Sequence, residues 1–168
     1  NYGPPPGAAE ERVGRILSTD FKAHRNELVI SSKAGWELWP GPYGDLGSRK
    51  YLIASLDESL KRLKLDYVDI FYHHRPDPET PIEETVRAMD VLVRQGKIFY
   101  WGTSEWSAEQ ITAAHHIARR ERLAPPTMEQ PQYNLLWRDR VEKEYAPLYG
   151  EFGLGLTIWS PLSSGLLS

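Results

Sequence analysis

Three side chains suited to proton transfer stand where extended runs of this chain give way to loops: Tyr2, Lys33 and His74. A phenol, an ammonium and an imidazole brought together can deliver a proton and steady negative charge developing on an oxygen. Taken singly, each has a plainer explanation: Lys33 as a strand-end lysine reaching for solvent, His74 as a hydrogen-bonded structural histidine, Tyr2 as a packing residue. What separates these readings is whether the fold gathers the three at one place. His115 and His116 are a weaker candidate, because neighbours on a helix do not share a face, and no metal site is expected.

The elements that must position these residues follow from the pattern. Residues 28–33, 67–73 and 97–103 are apolar and β-rich, which predicts buried strands; residues 127–130 and 155–159 predict a short fourth and a fifth. Amphipathic stretches lie between them, over residues 8–17, 48–63, 82–94, 108–120 and 139–146, the clearest being residues 48–63 with Leu52, Ser55, Leu56, Leu60 and Leu63 on one face. Ser107 followed by Gln110 is a capping-box pair for the fourth of these. Strands alternating with helices imply parallel pairing and an α/β class. The presumed strand ends, near Tyr2, Lys33, His74, Ser104, Gln130 and Trp159, recur at roughly one β-α repeat, about 30 residues. This predicts a (β/α)8 TIM barrel. A whole barrel takes about 250 residues, so 168 residues predict one partial domain over residues 1–168: about five strands plus the end of another, lacking the N-terminal strands and a C-terminal segment. The longest interval holds an aromatic loop, residues 36–47. With Trp106, its Trp36, Trp39 and Tyr43 could wall a substrate pocket; the alternative is a surface loop packed on itself.

Composition narrows the class. With 40% hydrophobic and 26% charged residues, the chain reads as globular. A net charge of −3, with Lys and Arg spread along the sequence, argues against nucleic-acid binding. No apolar run is long enough for a membrane span, and residues 1–6 show no signal peptide. With no cysteine, neither disulfides nor thiolate metal sites are available, and a cytoplasmic location is expected.

The motifs Asn1-Tyr2-Gly3, Ser32-Lys33-Ala34-Gly35, the run from Asp66 through His73-His74-Arg75-Pro76-Asp77, Gly102-Thr103-Ser104-Glu105-Trp106, Glu129-Gln130-Pro131-Gln132-Tyr133-Asn134 and Trp159-Ser160-Pro161-Leu162 resemble, in order and spacing, the landmarks of the aldo-keto reductases. The loop over residues 35–50 resembles the branch holding bacterial L-glyceraldehyde 3-phosphate reductases and potassium-channel β subunits. That family works with an Asp, Tyr, Lys and His tetrad. The resemblance carries Tyr2, Lys33 and His74 onto three of these; the aspartate would precede Tyr2 by about five residues, outside this sequence. It implies that Tyr2 gives the proton, that the Lys33 charge makes a phenol, ordinarily a sluggish acid with pKa about 10, competent near neutrality, and that His74 aims the carbonyl oxygen. Adjacent strand residues face opposite sides, so only one of His73 and His74 can face the site, and the motif selects His74. The resemblance further implies that Ser104 and Gln130 bind a nicotinamide carboxamide, that Trp159 stacks on its ring, and that Ser160, Pro161, Leu162, Ser163 and Gly165 wrap the pyrophosphate. Glu105 departs from the asparagine of many members, and no role is assigned to it.

The function this implies is NADPH-dependent reduction of an aldehyde or ketone by hydride transfer, with NADH as the second cofactor candidate. Two alternatives stand beside it: a non-catalytic nicotinamide-binding regulatory subunit like the channel β subunits, or an inactive fragment. His74 favours catalysis, because the resemblance puts an asparagine there in the channel-associated members. A sugar phosphate would need cations that the sequence does not place. The partner expected is a small carbonyl substrate, and a homo-oligomer is compatible with the sequence.

Overall fold

The computed structural model describes residues 2–168. Helix α1 (Ala8–Thr19) leads through a 3₁₀ turn, Lys22–Glu27, to β1 (Ser31–Ala34); then follow α2 (Arg49–Leu63), β2 (Val68–His73), α3 (Ile82–Arg94), β3 (Ile98–Thr103), α4 (Ala108–Glu121) and β4 (Met128–Glu129). A π turn, Arg140–Glu144, precedes α5 (Ala146–Phe152), β5 (Gly155–Leu156) and a last 3₁₀ turn, Ser163–Gly165. The strands form one parallel sheet in the order β1-β2-β3-β4-β5. Parallel order that follows chain order is the winding of a β/α barrel, so the structure is a partial (β/α)8 barrel.

The helices cover one side of this sheet. Tyr51, Leu56, Phe71, Met89, Leu92 and Trp101 have no accessible surface, and α1, α2, α3 and α4 pack in sequence over the core they form. A buried indole must find an acceptor, and Trp101 Nε1 donates to Ala124 O at 2.9 Å. Buried Glu10 ties three elements together: it pairs with Arg62 of α2 at 2.7 Å and accepts from Ser32 Oγ of β1. Gly14 permits that closeness, since a Cβ there would lie 2.2 Å from Arg62 O. At the helix starts, Ser48 accepts from Tyr51 N at 3.2 Å, and Ser107 with Gln110 forms the reciprocal capping box at 3.2 and 3.0 Å.

Three expected boundaries move. The strand expected over residues 28–33 begins at Ser31; Ile30 still meets the start of β2, but its N donates to the Asp69 side chain, at Oδ2 and 2.8 Å, rather than to a backbone carbonyl. The helix expected over residues 139–146 is only a π turn, and the α-helix starts after it at Ala146, where Pro147 suits the first turn and left-handed Gly153 (φ 66°) ends it. The strand expected over residues 155–159 stops at Leu156; Trp159 rejoins the sheet through a single bridge to Gln132. Among the described residues no helix is long and apolar enough to cross a membrane, and no cluster of His, Cys, Asp and Glu could hold a metal ion.

Candidate active site

The register sets Lys33 of β1 beside Tyr72 of β2, and His73 beside Thr103 of β3, so the residues following these strands converge at one rim of the sheet. His74 extends the ladder by one bond, its N donating to Ala34 O at 2.7 Å. The pleat then separates the two histidines. His73 is buried, its ring edge-on to Trp106 at 5.4 Å, while His74 lies against Tyr2, ring centroids 6.0 Å apart and planes 29° apart. Lys33 Nζ donates to Tyr2 Oη at 3.0 Å and also to Gln130 Oε1. Tyr2, Lys33 and His74 are therefore in one cluster; Asn1 of the same motif lies outside the described residues.

The electrostatics of the cluster are positive. Burial lowers the His74 pKa to about 3, with the charges of Lys33 and Arg75 acting in the same direction. A neutral imidazole at physiological pH follows. Its Nδ1 is buried and meets no hydrogen-bond partner among the described residues. Arg75 is the cation that sequence reading did not place. Its guanidinium lies 5.7 Å from the Trp36 ring centroid and 3.4 Å from Ser104 Oγ, and Trp36 itself meets His74 edge-on at 5.9 Å.

Ser104 and Gln130 are adjacent, Ser104 Oγ donating to Gln130 O at 2.8 Å. The Gln130 side chain bridges the cluster to the far strand, because Nε2 donates to Thr157 Oγ1 at 3.2 Å and Thr157 Oγ1 lies 2.8 Å from Tyr72 Oη. Neither Thr157 nor Tyr72 stood out in the sequence, since both read as ordinary strand residues. Trp159 stands at the same rim, and its Nε1 donates to Glu105 Oε1 at 2.9 Å. Beyond it, Asn134 Nδ2 donates to Ser160 O at 3.0 Å. Pro161 leads into Leu162 (φ −99°) and then Ser163 (φ 49°), with Gly165 at φ 93°. The turn closes on itself, Ser163 N donating to Ser160 O and Gly165 N to Leu162 O, both at 3.0 Å. A nicotinamide ring and its carboxamide fit the groups before it: a half-exposed indole for the ring, and neighbouring hydroxyl and amide groups for the carboxamide.

Of the four aromatics expected to wall a pocket, Trp36 is the one that meets the cluster among the described residues. Trp39 packs on Tyr51 at 5.5 Å, because the Tyr51 hydroxyl is fixed by Gly35 N and Trp36 O and draws the loop onto α2. Trp106 is 2% exposed, buried behind β3 where the chain turns into α4. Tyr43 is exposed at the loop's outer side, with Lys50 Nζ 4.6 Å from its ring centroid. The spacing of aromatics along the loop could not reveal which way each side chain points.

Comparison with known proteins agrees with this arrangement. The family model described as "Aldo/keto reductase family" matches residues 1–168. The chain is 50% identical over 168 residues to the L-glyceraldehyde 3-phosphate reductase of Escherichia coli K12, covering 100% of this chain and 48% of that protein. It is 52% identical over 162 residues to a probable voltage-gated potassium channel subunit beta of rice, covering 96% of this chain and 49% of the relative. A putative subunit of the same kind from Schizosaccharomyces pombe is 53% identical over 166 residues, covering 96% and 47%. The chain thus spans about half the length of the curated relatives it matches. On the match along its whole length and the site those residues build, this chain belongs to the aldo/keto reductase family.

Proposed function

We propose that the protein carrying this chain is an NADPH-dependent reductase of aldehydes or ketones, with a small carbonyl compound as its substrate. The observation that carries this reading is the 3.0 Å contact between Lys33 Nζ and Tyr2 Oη beside His74. A bound reduced nicotinamide supplies the hydride that goes to the carbonyl carbon. The protein must then supply a proton to the carbonyl oxygen, and Tyr2 Oη is the acid placed to do so. Lys33, positively charged and in contact with that oxygen, stabilises the phenolate left behind. His74 stays neutral and hydrogen-bonds the carbonyl oxygen, fixing its direction without competing as an acid. Ser104, Gln130 and Trp159 hold the nicotinamide, and the backbone from Ser160 to Gly165 holds the phosphates.

The names of the relatives also support a second reading, a nicotinamide-binding regulatory subunit without turnover. One substitution separates the two. In the full-length protein, Tyr2→Phe keeps the ring and removes the proton. On the catalytic reading, aldehyde reduction falls at least about hundredfold while NADPH binds as in the parent. Undiminished turnover in the variant rejects Tyr2 as the acid. An unmodified protein that binds NADPH but reduces no member of an aldehyde panel supports the regulatory reading.

A further inference from the structure

We infer that Glu105 is a positioning residue that holds the indole of Trp159 in the plane where a nicotinamide ring stacks, an inference that rests on the reading of Trp159 above. Glu105 sits on the turn between β3 and α4 with φ 60°. That left-handed conformation is strained for a residue with a Cβ, and it persists only where surrounding contacts fix it. Three such contacts converge. Glu105 Oε1 accepts from Trp159 Nε1 at 2.9 Å and from Gln132 N at 2.7 Å, while Oε2 pairs with Arg140 Nη1.

The donors come from three separate places: the loop after β5, the loop after β4 and the π turn before α5. An indole on a loop is free to rotate about two side-chain bonds, and a donor-only ring nitrogen needs an acceptor to stop it. The acceptor here is a carboxylate whose second oxygen is engaged by a cation, so the carboxylate itself cannot swing away. An asparagine, one methylene shorter and with a single acceptor oxygen, could not serve these three donors at once. This gives a reason for the departure at position 105.

The test uses the full-length protein with Glu105→Ala, Glu105→Gln and Trp159→Phe, alone and combined, followed by NADPH titration and steady-state kinetics. Loss of a charge-assisted hydrogen bond that orders the stacking ring should weaken NADPH binding roughly tenfold. The KM for NADPH should follow, and kcat should change less. Glu105→Gln, which keeps one acceptor oxygen, should lose less. In the Trp159→Phe background, where no indole N–H remains, the penalty of either Glu105 substitution should largely disappear. Unchanged NADPH affinity in Glu105→Ala overturns the inference, as does the same penalty in both backgrounds. If Glu105→Ala does not fold, the comparison of Glu105→Gln in the two backgrounds still decides. Failure of the unmodified protein to bind NADPH sinks the reading of Trp159 instead, and is told apart because it requires no substitution.

Discussion

The two ends of the sheet hold their site residues by different means. Lys33, His74 and Ser104 follow strands β1, β2 and β3, whose ladders run from Ser31 to Thr103 under a helical layer with a fully buried core. Trp159 and the loop after it follow β5, a two-residue strand, and are tied back by the single bridge to Gln132 and by two side chains, Glu105 to the indole and Asn134 to Ser160. Leu135 and Leu166 on that side are 75% and 72% exposed. Lys33, His74 and Ser104 are thus mounted on packed framework, whereas Trp159 and the loop after it sit on backbone held by a few polar contacts. Rigid placement suits atoms that must meet within a hydrogen-bond length, and a loosely tied loop suits a ligand that must enter and leave.

Truncations test that contrast most severely. Trp101→Ala removes a side chain with no accessible surface and leaves the Ala124 carbonyl without its donor, so it should cost about 3–5 kcal/mol in urea unfolding. Leu162→Ala, on the late loop and 54% exposed, should stay within about 0.5 kcal/mol. Equal costs would abolish the distinction between the two regions.

Buried ionisable groups give the packed side a pH dependence that the loop lacks. Burial raises the Glu129 carboxyl to about 7, even though Thr103 Oγ1 donates to it. Folding therefore favours its protonated form. The stability this confers is complete below about pH 4.5 and is lost as pH rises through about 7, a change on the order of 3 kcal/mol. His73 acts in the opposite sense. Burial lowers it to about 4, so its contribution is complete above about pH 6.5 and is lost as pH falls toward 4. Glu129→Gln should flatten the decline between pH 5 and pH 8 in thermal melts and leave the acid side as it was. A decline that persists in the variant would mean that Glu129 is not its source.

The packed side was also the more legible in sequence, for the same physical reason. Continuous apolar runs and a three-and-four residue periodicity announce strands and helices that bury a face, and α2, α3 and α4 fall where the pattern puts them. The late region has no such period. Its π turn, its two-residue strand and the start of α5 are set by single features, such as Pro147 and Gly153, rather than by a repeating face. The candidate site divides in the same way. Tyr2, Lys33 and His74 could be placed together because strand ends of a barrel share one rim. The role of Glu105, the bridge through Gln130 to Thr157, and the burial of Trp39 and Trp106 depend on side-chain directions that spacing does not encode.

A local effect sharpens the contrast from the loop's side. Asn134 is 7% exposed and is bonded on every side: Oδ1 accepts from Leu136 N at 2.9 Å and Trp137 N at 3.2 Å, and Nδ2 donates to Ser160 O at 3.0 Å. Asn134→Ala leaves Leu136 N and Ser160 O to find water, while Trp137 N keeps the Asn134 carbonyl as its acceptor at 3.0 Å. Leu136 belongs to an exposed turn where water is at hand, so the global cost should be only about 1–2 kcal/mol. The local consequence should exceed the global one, because Ser160 loses a tether just where the backbone enters its left-handed turn at φ 55°. Amide hydrogen exchange should therefore quicken in residues 160–166 and stay unchanged in β1, β2 and β3. Faster exchange across both regions alike would show that the late loop and the packed sheet open as one unit, and that the polar ties do not isolate it.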